Sequence, residues 1–384
     1  MNKKFFMGIA AMAALTLVSC SSDDLDSVSD NSSKNEAISF DGYLGRSAVA
    51  VNGSRGSVET KETLKNKGFG VFGNYIADAG QTSDANFFKN QKVTYSGTKW
   101  TYTPLKYWPT NGKIDFLAYA PFKDGQELKA NTTTFDFTVE PKAADQIDLL
   151  WANATGQIKT NFEGTTKEKV KFLFKHALSR LGYTVKLSGN YNSSDATFTL
   201  KKITLAGSPD EETKGAFYKT GTIDLSKTGT KENLSKTNTA TGLWTAATDN
   251  NKQNFTWFDG TYNVTASASH PDGANKNKDY LFVIPQNFSE KIEEAGHQKE
   301  NPDKLYVIVE YDVTYTSSHT TITNKVYKKL PIDLMQGKAY MLNLTIGLPI
   351  EFDIDVDTVS GVENWEEVND VPGNIDSWDD INRK

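Results

Sequence analysis

The sequence predicts an all-β protein built from two antiparallel β-sandwich domains. Short segments that alternate apolar and polar residues recur along most of the 384 residues, divided by Gly, Asn and Pro. That is the period-2 pattern of half-buried strands at sandwich or barrel spacing. Long helical periods are absent, and the composition agrees with a β-type chain: 38% hydrophobic, 11% aromatic and 28 glycines.

Taken in order, the chain opens with Lys3 and Lys4 and a mostly apolar run from Phe5 to Val18. This reads as the charged and apolar regions of a secretory signal, too short for the roughly 20 residues of a membrane-spanning helix. Leu17-Val18-Ser19-Cys20 resembles the lipobox of bacterial lipoproteins, in which the cysteine takes a diacylglycerol and becomes the first mature residue. Cys20 is the lone cysteine of the chain. Residues 1–19 are therefore expected to be a lipoprotein signal peptide and Cys20 the lipidated residue, carrying acyl chains such as palmitate. Each buried methylene contributes about 0.8 kcal/mol, so two or more chains hold stably to a membrane. The "SSDD" that follows resembles the export signal that sends such lipoproteins to the cell surface. Residues 20–36 are rich in Ser, Asp and Asn without apolar periodicity, as in a flexible tether. With Cys20 lipidated no thiol remains, so the body must be held by its core.

From Ala37 the pattern becomes strand-like. "AISFDGYL", "GFGVFGNYI", "QKVTYSGTKWTYTP", "KIDFLAYAPF", "TTTFDFTVE" and "QIDLLWANA" make an N-terminal sandwich expected over residues 37–158. Ser96-Gly97 supplies a hairpin turn that tolerates positive φ. The polar stretch 153–167 is read as the joint. A C-terminal sandwich over 159–349 holds "VKFLFKHALSRLGYTVKLSG", with a helical turn expected around Lys175 to Ser179, then "ATFTLKKITLAG", "KLYVIVEYDVTYTS" and "KAYMLNLTIGL". Thr228 to Asn254 reads as a long surface loop. Residues 350–384 are acidic but begin with alternating Ile350, Phe352, Ile354 and Val356, the pattern of a strand with one buried face.

Net charge is −6, which argues against a nucleic-acid partner. The four histidines, His176, His270, His297 and His319, lack the spacing of a zinc site. Gly68-Phe69-Gly70 has no strand-to-helix context for a phosphate loop, and no G-x-S-x-G elbow occurs. Asp353, Asp355 and Asp357 lack the glycine and terminal glutamate of a calcium loop. Neither an enzyme nor a cofactor is expected.

"WTYTPLKYWPTNGKIDFLAYAPF" (100–122), "VKFLFKHALSRLGYTVKL" (170–187), "KKITLAG" (201–207), "YLFVIPQ" (280–286) and "GKAYMLNLTI" (337–346), in this order behind a lipobox, resemble the fimbrillin-like proteins of type V pili. The resemblance implies two transthyretin-like sandwiches and a pilus subunit, stalk or tip, or a pilus-associated lipoprotein. It would be anchored in the cell outer membrane, surface-exposed, and found in the fimbrium after maturation, serving adhesion and biofilm formation. It further implies partners: other pilus subunits, a trypsin-like maturation protease, and a host or bacterial surface receptor. In the family the protease cuts after a basic residue following the first strand, the strand leaves, and a strand of the next subunit fills the groove. Carried onto this chain, the displaced strand is Ile38 to Leu44 with Ile38 and Phe40 inward. The cut falls after Arg46 or Arg55, and the donor strand carries Ile350, Phe352, Ile354 and Val356. Two plainer readings stay open: Arg46 ends a surface strand, and 350–356 is a permanent last strand.

The rival is a surface glycan-binding lipoprotein, for which Trp100, Tyr102, Tyr107 and Trp108 would be the stacking platform. Core packing of the same rings is the expected alternative, and their exposure discriminates the two.

Overall fold

A computed structural model describes residues 37–44, 58–80, 82–162, 169–188, 195–227, 243–246, 252–271, 280–294, 296–347 and 351–359. Cys20, Arg46, Arg55 and Ile350 lie outside them. The described strands are β1 (Phe40–Leu44), β2 (Phe69–Ile76), β3 (Asp84–Tyr95), β4 (Trp100–Thr101), β5 (Lys113–Ala120), β6 (Thr134–Thr138), β7 (Leu150–Gln157), β8 (Val170–His176) and β9 (Ser179–Leu187). They continue with β10 (Ala196–Ala206), β11 (Phe217–Tyr218), β12 (Thr220–Asp224), β13 (Trp244–Ala246), β14 (Lys252–Gln253), β15 (Phe255–Asn263), β16 (Leu281–Val283), β17 (Gln286–Asn287) and β18 (Lys291–Glu294). The last are β19 (His297–Glu300), β20 (Tyr306–Tyr315), β21 (Thr321–Lys329), β22 (Asp333–Leu334), β23 (Ala339–Gly347) and β24 (Glu351–Val359). The protein is all-β.

A seven-stranded sheet runs β1-β8-β7-β5-β2-β3-β4. Sheets β15-β10-β20-β21, β16-β9-β23-β24 and β13-β12-β6 make up most of the remainder. Buried side chains fall into two clusters. One holds Phe40, Phe69, Phe88, Phe116, Phe172 and Phe174. The other holds Tyr183, Phe198, Leu205, Phe282, Val309 and Leu344 among many more. Neighbours Phe116 and Leu117 belong to different clusters, because successive residues of a strand point to opposite faces. The β5 region of the sheet thus carries a core on each side, which is why "FLAYA" reads as continuously apolar. β8, beyond residue 158, pairs within the seven-stranded sheet, and β6, before it, pairs with β12.

The sheets are mixed rather than wholly antiparallel: β1–β8 and β9–β23 are parallel. Each pair is joined by a long stretch of chain, which is what a parallel crossover requires. The expected turn around Lys175 to Ser179 is not helical. β8 ends at His176 and β9 begins at Ser179, so Ala177 and Leu178 carry the chain from one sheet to another. Ala177 N–H donates to Leu149 O at 2.8 Å, Gly337 N–H to Leu178 O at 2.9 Å, and Trp244 Nε1 to Ala177 O at 2.5 Å. The helix-like spacing in "FKHALSRL" comes from a change of core, not from a helix face. The one described α-helix, α1 (Lys61–Lys67), has no counterpart in the sequence reading. Thr60 and Thr63 form a reciprocal cap at its start, and Gly68 ends it at φ +70.

The hairpin at Ser96-Gly97 is present, with Tyr95 opposite Trp100 and Gly97 at φ +90. In the expected loop Thr228 to Asn254, residues 228–242 and 247–251 lie outside the described residues. The rest is not a surface loop, since Trp244 is buried and β13 and β14 are paired.

Candidate functional site

β1 lies at an edge of the seven-stranded sheet and pairs only with β8, in parallel register from Phe40↔Val170 to Leu44↔Phe174. Its other flank meets the strap 105–108: Ile38 N–H donates to Lys106 O at 2.8 Å and the Tyr102 hydroxyl to Ile38 O at 2.7 Å. Burial pushes the Tyr102 phenol up to about 12, so it remains a donor at neutral pH. Ile38, Phe40 and Leu44 are buried. The Phe40 ring sits 5.4 to 5.6 Å from the rings of Phe88, Tyr102, Phe116 and Phe172, in the offset and edge-on arrangements aromatic pairs favour. Three such side chains at about 1.5–3 kcal/mol each stabilise the seated strand by about 5–9 kcal/mol before ordering costs. β1 is therefore an edge element that plugs a core. Gly42 completes the fit, because a Cβ there would lie 2.9 Å from Phe69 Cε1.

Immediately beyond the segment 45–57 the chain is anchored by a different device. Glu59, Asp148 and His176 are buried together. Glu59 N–H donates to Asp148 Oδ2 at 2.8 Å, and His176 Nδ1 lies 2.9 Å from Asp148 Oδ1. The Glu59 carboxylate pairs with Lys67 and accepts from Thr63 Oγ1 at 2.7 Å. Burial raises its pKa, with Lys67 working against that shift. The two ends of 45–57 are thus held independently, one by an apolar plug and one by a buried polar cluster. Sequence reading missed this cluster, and it also missed the ring-lined walls of the β1 slot. Their members are distant in sequence, and only the alternation of "VKFLF" hinted at them.

At the other end of the chain β24 is also an edge strand, antiparallel to β23 along its whole length from Ala339↔Val359 to Gly347↔Glu351. Ile354 is buried and Val356 half-buried against the larger core, while Phe352 is placed only as a strand residue. Asp353 pairs with Lys328 and also accepts from Ile354 N–H, and both interactions hold its carboxyl below the usual range. Among the described residues no three His, Cys, Asp or Glu side chains gather as a metal site.

The candidate sugar platform is largely core. Trp100 stacks edge-on against Phe69 and Tyr95, Tyr102 packs on Phe40 and Phe88, and Trp108 packs on Phe116. Only Tyr107 of the four is exposed, at 48%. The period-2 spacing of Trp100 and Tyr102 turned both rings inward.

The described body is thus all-β, with an edge strand, β1 and β24, at each end of its described chain. Residues 57–365 match the family described as fimbrillin-like, and the chain belongs to that family. It is 28% identical to the fimbrium subunit Fim1C of Phocaeicola vulgatus over 96% of this chain and 98% of that one. Among solved structures it resembles a fimbrial protein from Bacteroides vulgatus, with a TM-score of 0.57 and 20% identity over 84% of this chain and 99% of that one. A putative cell adhesion protein from Bacteroides uniformis aligns at a TM-score of 0.43 and 15% identity, over 86% of this chain and 98% of that one.

Proposed function

We propose that the protein is a non-enzymatic fimbrial subunit, structural or at the tip, that assembles on the cell surface by protease-triggered strand exchange and supports adhesion and biofilm formation. In this reading Cys20 carries the lipid that anchors the precursor in the outer membrane. A trypsin-like protease cuts after Arg46 or Arg55, and β1 leaves with Ile38 and Phe40. A strand bearing Ile350, Phe352, Ile354 and Val356 from the next subunit then enters the opened slot, and the fibre serves a host or bacterial receptor. The body would behave as two sandwich units, each with one of the two cores.

The observation that carries this reading is the joining of a core-plugging edge strand to an arginine-bearing segment. The sequence has four arginines among its 42 basic residues: Arg46, Arg55, Arg180 and Arg383. Arg180 is buried, so half of all arginines stand between β1 and the polar anchor at Glu59. Once β1 is gone, the slot would expose Phe88, Phe116 and Phe172, and such an apolar surface favours refilling by another strand.

The test is the N-terminal sequence and oligomeric state of the surface form with and without an arginine-specific protease. A new terminus at Ser47 or Gly56 together with detergent-resistant ladders is expected. An intact lipid-bearing Cys20 with a persistent monomer would refute the exchange.

A further inference from the structure

With the strand-exchange reading above as its premise, we infer that Lys171 of β8 and Lys169, the residue just before that strand, form a charge lane that selects an acidic strand of a second copy of this chain and decides which of its faces turns outward.

In the seated state the outer face of β1 presents Asp41 to this lane. Asp41 is the register partner of Lys171, and its carboxylate lies 3.9 Å from Lys169 Nζ. Lys171 is exposed and has no ion pair among the described residues. Departure of β1 removes Asp41, the one acid that faces this part of β8 in the β1–β8 register among the described residues. The outer side of the slot then becomes a lysine row beside Leu173, itself 57% exposed, above an apolar trough.

β24 has the complementary pattern. Glu351, Asp353, Asp355 and Asp357 alternate with Phe352, Ile354 and Val356. Because the side-chain period of a strand is two, any register that turns the apolar residues into the trough places a carboxylate where Asp41 stood. The opposite facing buries carboxylates against phenylalanine rings, which is prohibitive. The lane therefore reads facing rather than register. It leaves register unread, since each apolar residue of the donor would bring a Cβ to the Gly42 position, where Phe69 Cε1 stands 2.9 Å away and must shift. In the donor, Asp353 gives up Lys328 for Lys169 or Lys171, so one exposed ion pair replaces another. Exposed pairs add little affinity but accelerate and orient encounter, and salt screens that effect.

The test uses the full chain cut by an arginine-specific protease and immobilised sparsely, so that copies cannot reach one another. The probes are a peptide of residues 351–359, EFDIDVDTV, and its partner with all four acids replaced by lysine. The native peptide is expected to associate about tenfold faster than the lysine peptide at low salt, with the gap closing at high salt. The double variant Lys169→Glu, Lys171→Glu is expected to reverse the preference. Equal binding of both peptides to the wild-type cut chain, or an unreversed preference in the variant, would overturn the lane while leaving the slot intact. Binding of neither peptide, or equal binding to the uncut chain, would overturn the slot reading and the lane with it.

Discussion

Replacing Phe40 by alanine tests whether β1 is a separable plug. The ring is buried and touches Phe88, Tyr102, Phe116 and Phe172 at 5.4 to 5.6 Å between centroids, so truncation removes its transfer energy and leaves a cavity, about 3–5 kcal/mol in all. At 1.4 kcal/mol per decade the opening equilibrium of the strand should rise by roughly two to three and a half decades. Because β1 is an edge strand whose one ladder partner among the described residues is β8, that loss should appear as local opening and not as global unfolding. Hydrogen exchange read by mass spectrometry over residues 37–44, 170–174 and 113–120 separates the two. Fast exchange is expected in the first two segments and unchanged protection in β5. If β5 loses protection together with β1, or if β1 exchanges no faster than in the wild type, β1 is an integral strand and the plug idea fails.

Gly42→Val should loosen the same strand by about 1–3 kcal/mol, since the new Cβ meets Phe69 Cε1 at 2.9 Å and Phe174 Cε2 at 3.4 Å; faster arginine-specific cleavage than wild type is expected, and an unchanged rate would show that Phe69 yields freely. Asp148→Ala removes the acceptor of Glu59 N–H and of His176 and should lower stability in urea by about 3 kcal/mol or more, whereas a loss under about 0.5 kcal/mol would mean that the cluster is not an anchor. Glu212 is held down to about 2 by hydrogen bonds from Lys202 and Lys325. A depressed folded-state value means that its stabilisation is complete above the ordinary carboxylate value of 4.5 and fades as pH falls from there toward 2. Glu212→Gln should therefore flatten the stability curve across that window, and parallel wild-type and variant curves would refute this coupling.

Local pattern carried much of the fold because strand alternation is a local property. "ISFDGYL" announces inward Ile38 and Phe40, "VTYSGTKW" announces its turn, and "EFDIDV" announces a strand with one apolar face. These are the ends of the proposed exchange, and both were legible without tertiary information. Buried Trp100 and Trp108 and half-buried Tyr102 were left open between core and platform, since alternation says which residues share a face and not whether that face is wet.

What the sequence by itself determined is the all-β class, the family resemblance and the facing of the two edge strands, each written in residues two apart. Only the tertiary structure decided that β1 lies parallel to β8 across more than a hundred residues of sequence, and that one sheet serves a core on each face. It also decided that "KHALS" is a crossing between sheets, and that Glu59, Asp148 and His176 meet. Those outcomes depend on which distant strands pair and in what register, and hydrogen bonds between main chains carry no residue code. They are selected by the total burial of both cores at once, a quantity that belongs to no single segment.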